Sequence, residues 1–242
     1  MKRTAAIIGN GTVGSSLARA MGIKPYGPGT DKVKSDVVII CVPTETRDGV
    51  HDQSQVEQAF NRADAKLIVI RSTVLPGTTD KLQSKTKTPV CFIPEFGFEK
   101  TMYQDMKHPR MYVVGTTEKS FQQWYRAEDV LPYCEEWQPM DAIASEFVKY
   151  FCNIWGCSQV ILANSLYDWV MNQSGDTKVW NQVVGGLRVH PNIPQWGWNI
   201  GQDGERCYNG KCLPKDIQAA ISQFPNELWV KFEEINKKLG YK

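Results

Sequence analysis

The sequence predicts an α/β chain: a doubly wound parallel sheet over residues 1–139, then a mostly helical domain over residues 140–242 that contains one long helix. Three observations carry that expectation. Apolar runs of strand length alternate with helical patterns in the first half, and a glycine-rich turn stands directly after the first run. From about Pro139 the strand-like runs stop and apolar residues recur at helical spacing.

Taken in order, the strand-like runs are AAIIG (5–9), DVVIICV (36–42), KLIVI (66–70), PVCFI (89–93) and MYVVG (111–115). Polar residues do not interrupt them, as strands buried on both faces of a parallel sheet require. Helical patterns at Ser15–Met21 and Ser54–Arg62 lie between them. Only IKPYGPGTDKVKS separates the first helix from the second run, too short for a full strand plus helix. That βα unit is therefore abbreviated, with Tyr26 and Gly27 reading as its strand end. From Asp141, which suits an N-cap, AIASEFVKYFCNIWGCSQVILANSLYDWVMNQ keeps a period of about 3.6 without proline. Further helices are expected at Thr177–Val184, Pro214–Ser222 and Asn226–Leu239. Between them, VHPNIPQWGWNIGQDGERCYNGKC is aperiodic, and its tryptophans argue for an ordered loop.

Composition narrows the function. With 28 Lys and Arg against 26 Asp and Glu, the net charge of +2 gives no footprint for a nucleic-acid partner. The seven cysteines are odd in number, lack metal-type spacing and fall largely in apolar runs, as core thiols of a reducing compartment do. The first apolar run is cut by Gly9 and Gly11 well below signal-peptide or membrane-span length. The expectation is a cytoplasmic protein with no membrane partner and no metal.

The turn GNGTVG (Gly9, Asn10, Gly11, Thr12, Val13, Gly14) follows the first run and opens a helix. In that setting its glycines serve a tight turn, close approach of backbone to a pyrophosphate, and close helix–strand packing, so the sheet is read as Rossmann-like and dinucleotide-binding. An acidic residue near the end of the second strand would bind the ribose. Asp31 stands at a suitable distance but reads equally well as a turn residue, which leaves NAD against NADP open.

Near the C-terminus, NGKCLPKD places Cys212 just before Pro214, which suits the first turn of a helix. The helix N-terminus, with Lys211 and Lys215, would favour the Cys212 thiolate, a nucleophile. Lys149 and Asn153, four apart in the long helix, share one of its faces.

In order, GNGTVG, CVPTET, RSTVLPGTT, PEFGFEK, SEFVKYFCN and NGKCLPKD resemble the successive motifs of the UDP-glucose/GDP-mannose dehydrogenase family. The resemblance implies oxidation of the C6 alcohol of a nucleotide-linked hexose to a carboxylate, with two NAD, through a thiohemiacetal and thioester on Cys212. It further implies that Lys149 and Asn153 steady the oxyanion, that Glu95 handles a proton or positions water, and that Asp216 pairs with Lys149 and readies the hydrolytic water. Ser72, Thr73 and Glu99 would line the cofactor, Thr73 and Glu99 on its nicotinamide side with Thr73 also close to the chemistry. Pro43 and Thr44 would border the adenine-ribose half. The family's paired glycines before the cysteine read Asn209-Gly210 here, its NPEF asparagine is Ile93, and its PRIG arginine is lost in PNIP (Pro191–Pro194). Family members normally continue into a third, nucleotide-gripping domain, whereas this sequence stops at Lys242.

A homodimer is expected through the long helix, whose apolar faces exceed what one small domain covers. Two other readings stay open: an inactive scaffold that binds a dinucleotide or a protein, and a two-electron hydroxyacid or alcohol dehydrogenase that uses Lys149 and Asn153 without a covalent step.

Overall fold

The computed structural model describes residues 3–47, 49–201 and 205–241. They form two compact units, one of residues 3–47 and 51–149, the other of residues 49–50 and 150–241. The chain passes between them inside a helix, after Lys149, rather than at the change of pattern near Pro139.

Strands β1 (Ala5–Ile8), β2 (Val33–Ile40), β3 (Glu45–Arg47), β4 (Val50–Asp52), β5 (Ala63–Ile70), β6 (Val90–Phe92), β7 (Tyr112–Thr116) and β8 (Trp137–Asp141) make two sheets. The larger has the order β1-β2-β5-β6-β7-β8, and β3 with β4 makes a separate small one. All neighbours in the large sheet are parallel except β6 and β7. Alternate residues of each strand feed opposite cores. Ile7, Val37, Ile39, Leu67, Val69 and Cys91 meet Leu17 of α1 (Thr12–Met21) and Met102 and Met106 of α4 (Met102–Lys107). Ile8, Val38, Ile40, Ile68, Ile70 and Phe92 meet Val56 and Phe60 of α2 (Ser54–Arg62) and Leu82 of α3 (Thr78–Ser84). Both faces are covered, which is why the strands read as unbroken apolar runs. Each such side chain, fully buried, stabilises the fold by about 1.5–3 kcal/mol.

The abbreviated second βα unit is reduced to one residue of strand. Tyr26 bridges Ile8 in parallel on the free side of β1, its amide donating to the Ile7 carbonyl at 2.7 Å while the Gly9 amide donates to the Tyr26 carbonyl at 2.8 Å. Arg62 then fastens the returning chain, through Nη1 to the Gly27 carbonyl (2.9 Å) and Nε to the Asp31 carbonyl (3.0 Å). Sequence reading missed β8, whose Trp-Gln-Pro-Met-Asp has no apolar run. It is an edge strand, where a proline costs no ladder bond, and Trp137 packs on Tyr112 with ring centroids 4.3 Å apart. The short helix α5 (Tyr125–Glu128) and the first turns of α6 (Ala142–Ser174) complete this unit.

In the second unit the rest of α6 is joined by α7 (Thr177–Arg188), α8 (Leu213–Gln223) and α9 (Glu227–Lys238). Asp176 and Asn226 cap α7 and α9, each accepting from the amide two residues on. One core gathers Cys157, Ile161, Tyr208 and Ile217 with Trp229, Phe232 and Ile235; another gathers Ala163, Trp180, Val184 and Trp198. The aperiodic stretch before α8 is therefore anchored at Trp198, whose indole donates to the Pro194 carbonyl at 2.6 Å, and at Tyr208. Residues 202–204 of that stretch lie outside the described residues.

Candidate active site

In the first unit, the segment after β1 is shaped by two glycines that admit no side chain. Gly9 has φ of +119°, and a Cβ there would lie 2.1 Å from the Cys41 carbonyl oxygen; one at Gly14 would lie 2.0 Å from the Gly9 carbonyl oxygen. Gly14 thus lets α1 press onto the β1 turn. Gly11 is different. It is the N-cap of α1, no side chain caps that helix, and a Cβ there would meet nothing within 4 Å. Thr12 and Val13 begin the helix, and the Asn10 carbonyl accepts from Ser15 Oγ at 2.8 Å. Uncapped amides, no acidic residue in the first turn, and open approach at Gly11 fit a bound pyrophosphate.

The loops after β2 and β5 are stitched together beside this turn, at the same carboxyl edge of the parallel strands. Ser72 Oγ accepts from the Val42 amide (2.9 Å) and donates to the Val42 carbonyl (2.7 Å), and Thr44 Oγ1 donates to the Thr73 carbonyl (2.8 Å). Ser72 and Thr44 are buried, while Pro43 is exposed. The structure thus brings Gly9–Gly14, Pro43–Thr44 and Ser72–Thr73 to one edge, where ligands bind in open α/β sheets.

Glu95, just past β6, is at the same edge. Its carboxylate accepts from the Gly97 amide (2.8 Å) and faces Lys149 Nζ at 3.2 Å, while its carbonyl accepts from Nζ at 2.6 Å. Both side chains are under a tenth exposed, so the ion pair is withdrawn from water and held by geometry. Glu99 stands on the exposed approach to α4.

Sequence reading missed Glu146, one turn before Lys149. Fully buried, it accepts from the Gly77 amide (2.5 Å), the Thr79 amide (2.8 Å) and Thr79 Oγ1 (2.6 Å), and so caps α3 from far along the chain. Burial pushes its carboxyl above the usual range. Its only signal in the sequence was a glutamate inside the apolar start of α6.

In the second unit, Cys212 is the N-cap residue of α8, its thiol exposed and making no capping bond to the helix amides. Pro214 stands in the first turn as its fixed φ and missing N–H allow. One turn on, the fully buried Asp216 donates its amide to the Cys212 carbonyl (3.1 Å). Asn153 Nδ2 donates to Asp216 Oδ2 at 2.5 Å, and Lys215 pairs with Oδ1. The counter-ions are neighbours within each unit: Glu95 for Lys149, Lys215 for Asp216. The cysteine segment is itself pinned, because the Asn236 amide group bonds both the N–H and the carbonyl of Tyr208 (2.7 and 3.0 Å) and Tyr208 Oη donates to Glu233 at 2.5 Å.

Apart from the exposed Cys152, the other thiols are buried. Burial raises Cys41 to about 12 and pushes Cys91 and Cys157 higher still; burial and the Glu205 carboxylate raise Cys207. These are protonated at neutral pH and mostly walled in.

Residues 29–130 match the sequence profile of the UDP-glucose/GDP-mannose dehydrogenase family, NAD binding domain. The GDP-mannose 6-dehydrogenase of Pseudomonas savastanoi pv. phaseolicola is 30% identical over 210 residues, covering 76% of this chain and 45% of that protein. That of Pseudomonas aeruginosa is 28% identical over 213 residues, covering 76% and 46%. The chain spans about half the length of the curated relatives it matches. A solved UDP-glucose dehydrogenase from the archaeon Pyrobaculum islandicum shares the fold, with a TM-score of 0.79 at 20% identity over 98% of this chain and 68% of that one. The glycine turn, the stitched loops after β2 and β5 and the cysteine turn accompany that similarity, and residues 29–130 match the NAD binding domain of the UDP-glucose/GDP-mannose dehydrogenase family.

Proposed function

We propose that the protein oxidises the C6 alcohol of a nucleotide-linked hexose to a carboxylate, with Cys212 as covalent nucleophile. When bound, NAD supplies the hydride acceptor for each of the two oxidations. The amides at Gly11–Val13 hold its pyrophosphate, Pro43 and Thr44 border the adenosine side, and Ser72, Thr73 and Glu99 line the remainder. Lys149 and Asn153 offset the negative charge on the substrate oxygen, and Glu95 takes the hydroxyl proton. The Cys212 thiolate then adds to the aldehyde carbon, and the second oxidation leaves a thioester. Water readied by Asp216 breaks the carbon–sulfur bond, releasing the carboxylate and restoring the thiol. The observation that supports this most is the first turn of α8, with an exposed thiol at the N-cap and a buried carboxylate one turn on, hydrogen-bonded to Asn153.

The test is stoichiometry. Purified protein given GDP-mannose, UDP-glucose and related sugars yields two NADH per sugar with one of them, and Cys212→Ser stops at or before the aldehyde. Binding of NAD without turnover of any sugar would instead identify a scaffold, and one NADH per product, undiminished in Cys212→Ala, a simple alcohol dehydrogenase.

The same reading includes self-association. Trp155, Leu162 and Trp169 recur every seven residues of α6 and are each about half exposed or more, an apolar stripe that a second copy would cover. A monomer by light scattering at micromolar concentration would remove this part. The five buried thiols fit a reducing compartment. No helix among the described residues is long and apolar enough to cross a membrane.

A further inference from the structure

We propose that Asn209 is a modification site, where the Gly210 backbone nitrogen displaces the side-chain amide and leaves an aspartyl or isoaspartyl residue three positions before Cys212. Asparagine followed by glycine is the sequence most open to this reaction, because glycine has no side chain to block the approach of its nitrogen. The reacting groups are already together: the Gly210 N–H donates to Asn209 Oδ1 at 2.7 Å, with Gly210 at φ of +80°. Asn209 Nδ2, the nitrogen that must leave, donates to Glu205 Oε2 at 2.7 Å, which holds the amide in that rotamer. Both residues are exposed, so water reaches them.

The step balances without an oxidant. The Gly210 nitrogen, having given its proton to solvent base, bonds to Cγ of Asn209; Nδ2 takes a proton from solvent, the Cγ–Nδ2 bond breaks and ammonia departs, leaving a five-membered imide. Water then opens the imide at either carbonyl. One product is an ordinary aspartyl residue; the other carries an extra methylene in the main chain. Each places a new carboxylate beside the cysteine turn.

The fold supplies its own comparison in Asn10-Gly11. There the side-chain amide is turned toward Gly27, with Nδ2 3.2 Å from where a Gly27 Cβ would stand, and it makes no bond to the Gly11 nitrogen. The same dipeptide in that geometry is expected to keep its amide.

The consequence for activity rests on the function proposed above: added negative charge near Cys212 disfavours its thiolate, slowing alkylation by about twofold or more. The modification itself does not rest on it. The experiment is timed incubation of the whole protein in mildly alkaline buffer, with peptide mass mapping and isoaspartate detection at both dipeptides and Cys212 alkylation on the same samples. The expected result is amide-to-acid conversion at Asn209 ahead of Asn10, faster at higher pH, with Cys212 reactivity that declines in the wild type and stays constant in Asn209→Gly. An unconverted Asn209 after prolonged incubation, or conversion of Asn10 first, would overturn the proposal whether or not the protein turns over a sugar. Conversion at Asn209 with Cys212 alkylation unchanged would overturn the link to the thiol.

Discussion

Gly14 and Gly11 of the same turn are held for different reasons, and single substitutions separate them. An alanine methyl at Gly14 runs into the Gly9 carbonyl, and neither backbone can yield without parting α1 from the sheet. Gly14→Ala is expected to cost about 3 kcal/mol in urea unfolding. At Gly11 the methyl meets open space, so Gly11→Ala costs under about 1 kcal/mol yet weakens NAD binding, read by titration. Equal losses of stability would refute the distinction. The thiols give a second test at this scale. Alkylation consumes thiolate, and burial holds Cys41, Cys91 and Cys157 protonated far above neutrality, so at neutral pH exposed Cys152 and Cys212 react first. Raising the pH accelerates the exposed thiols while the buried ones wait for unfolding. Uniform labelling of all seven would contradict this. The buried Lys149–Glu95 pair supplies a third test. Glu95→Gln strands an ammonium away from water and is expected to cost about 3–5 kcal/mol, part of it recovered in the double variant with Lys149→Met.

At the scale of elements, burial decides what a sequence discloses. The buried stretches of β1, β2, β5, β6 and β7 are covered on both faces, so they are mostly apolar and visible in the sequence, while the starts of β2 and β5 carry Lys34, Asp36, Asp64 and Lys66. At the sheet edge, β8 has only Trp137 and Met140 half-buried, with Gln138, Pro139 and Asp141 exposed, and β3 and β4 are three-residue strands of mostly polar residues; none carries a pattern. The glycine turn and the cysteine turn were legible because local chain geometry fixes both. Glu146 was not, since its meaning lies in groups at Gly77 and Thr79 that only the tertiary fold brings to it. Glu146→Ala strands two amides and a hydroxyl, and is expected to cost about 1–3 kcal/mol and to speed hydrogen exchange at residues 77–79. Unchanged exchange there would show that α3 needs no such cap.

At the scale of the molecule, each compact unit carries one part of the proposed chemistry. The first has the glycine turn, the cofactor loops and the Lys149–Glu95 pair; the second has Cys212, Asp216 and Asn153. The sheet belongs to a common dinucleotide-binding architecture, and fold alone does not select a reaction. The covalent role proposed for Cys212 does, and it would be visible by mass. Protein quenched in acid during turnover with NAD and the accepted sugar nucleotide should carry the acyl sugar on the Cys212 peptide, absent from Cys212→Ala. Full-rate formation of the sugar acid by Cys212→Ala, with an unmodified cysteine in the wild type, would contradict the account.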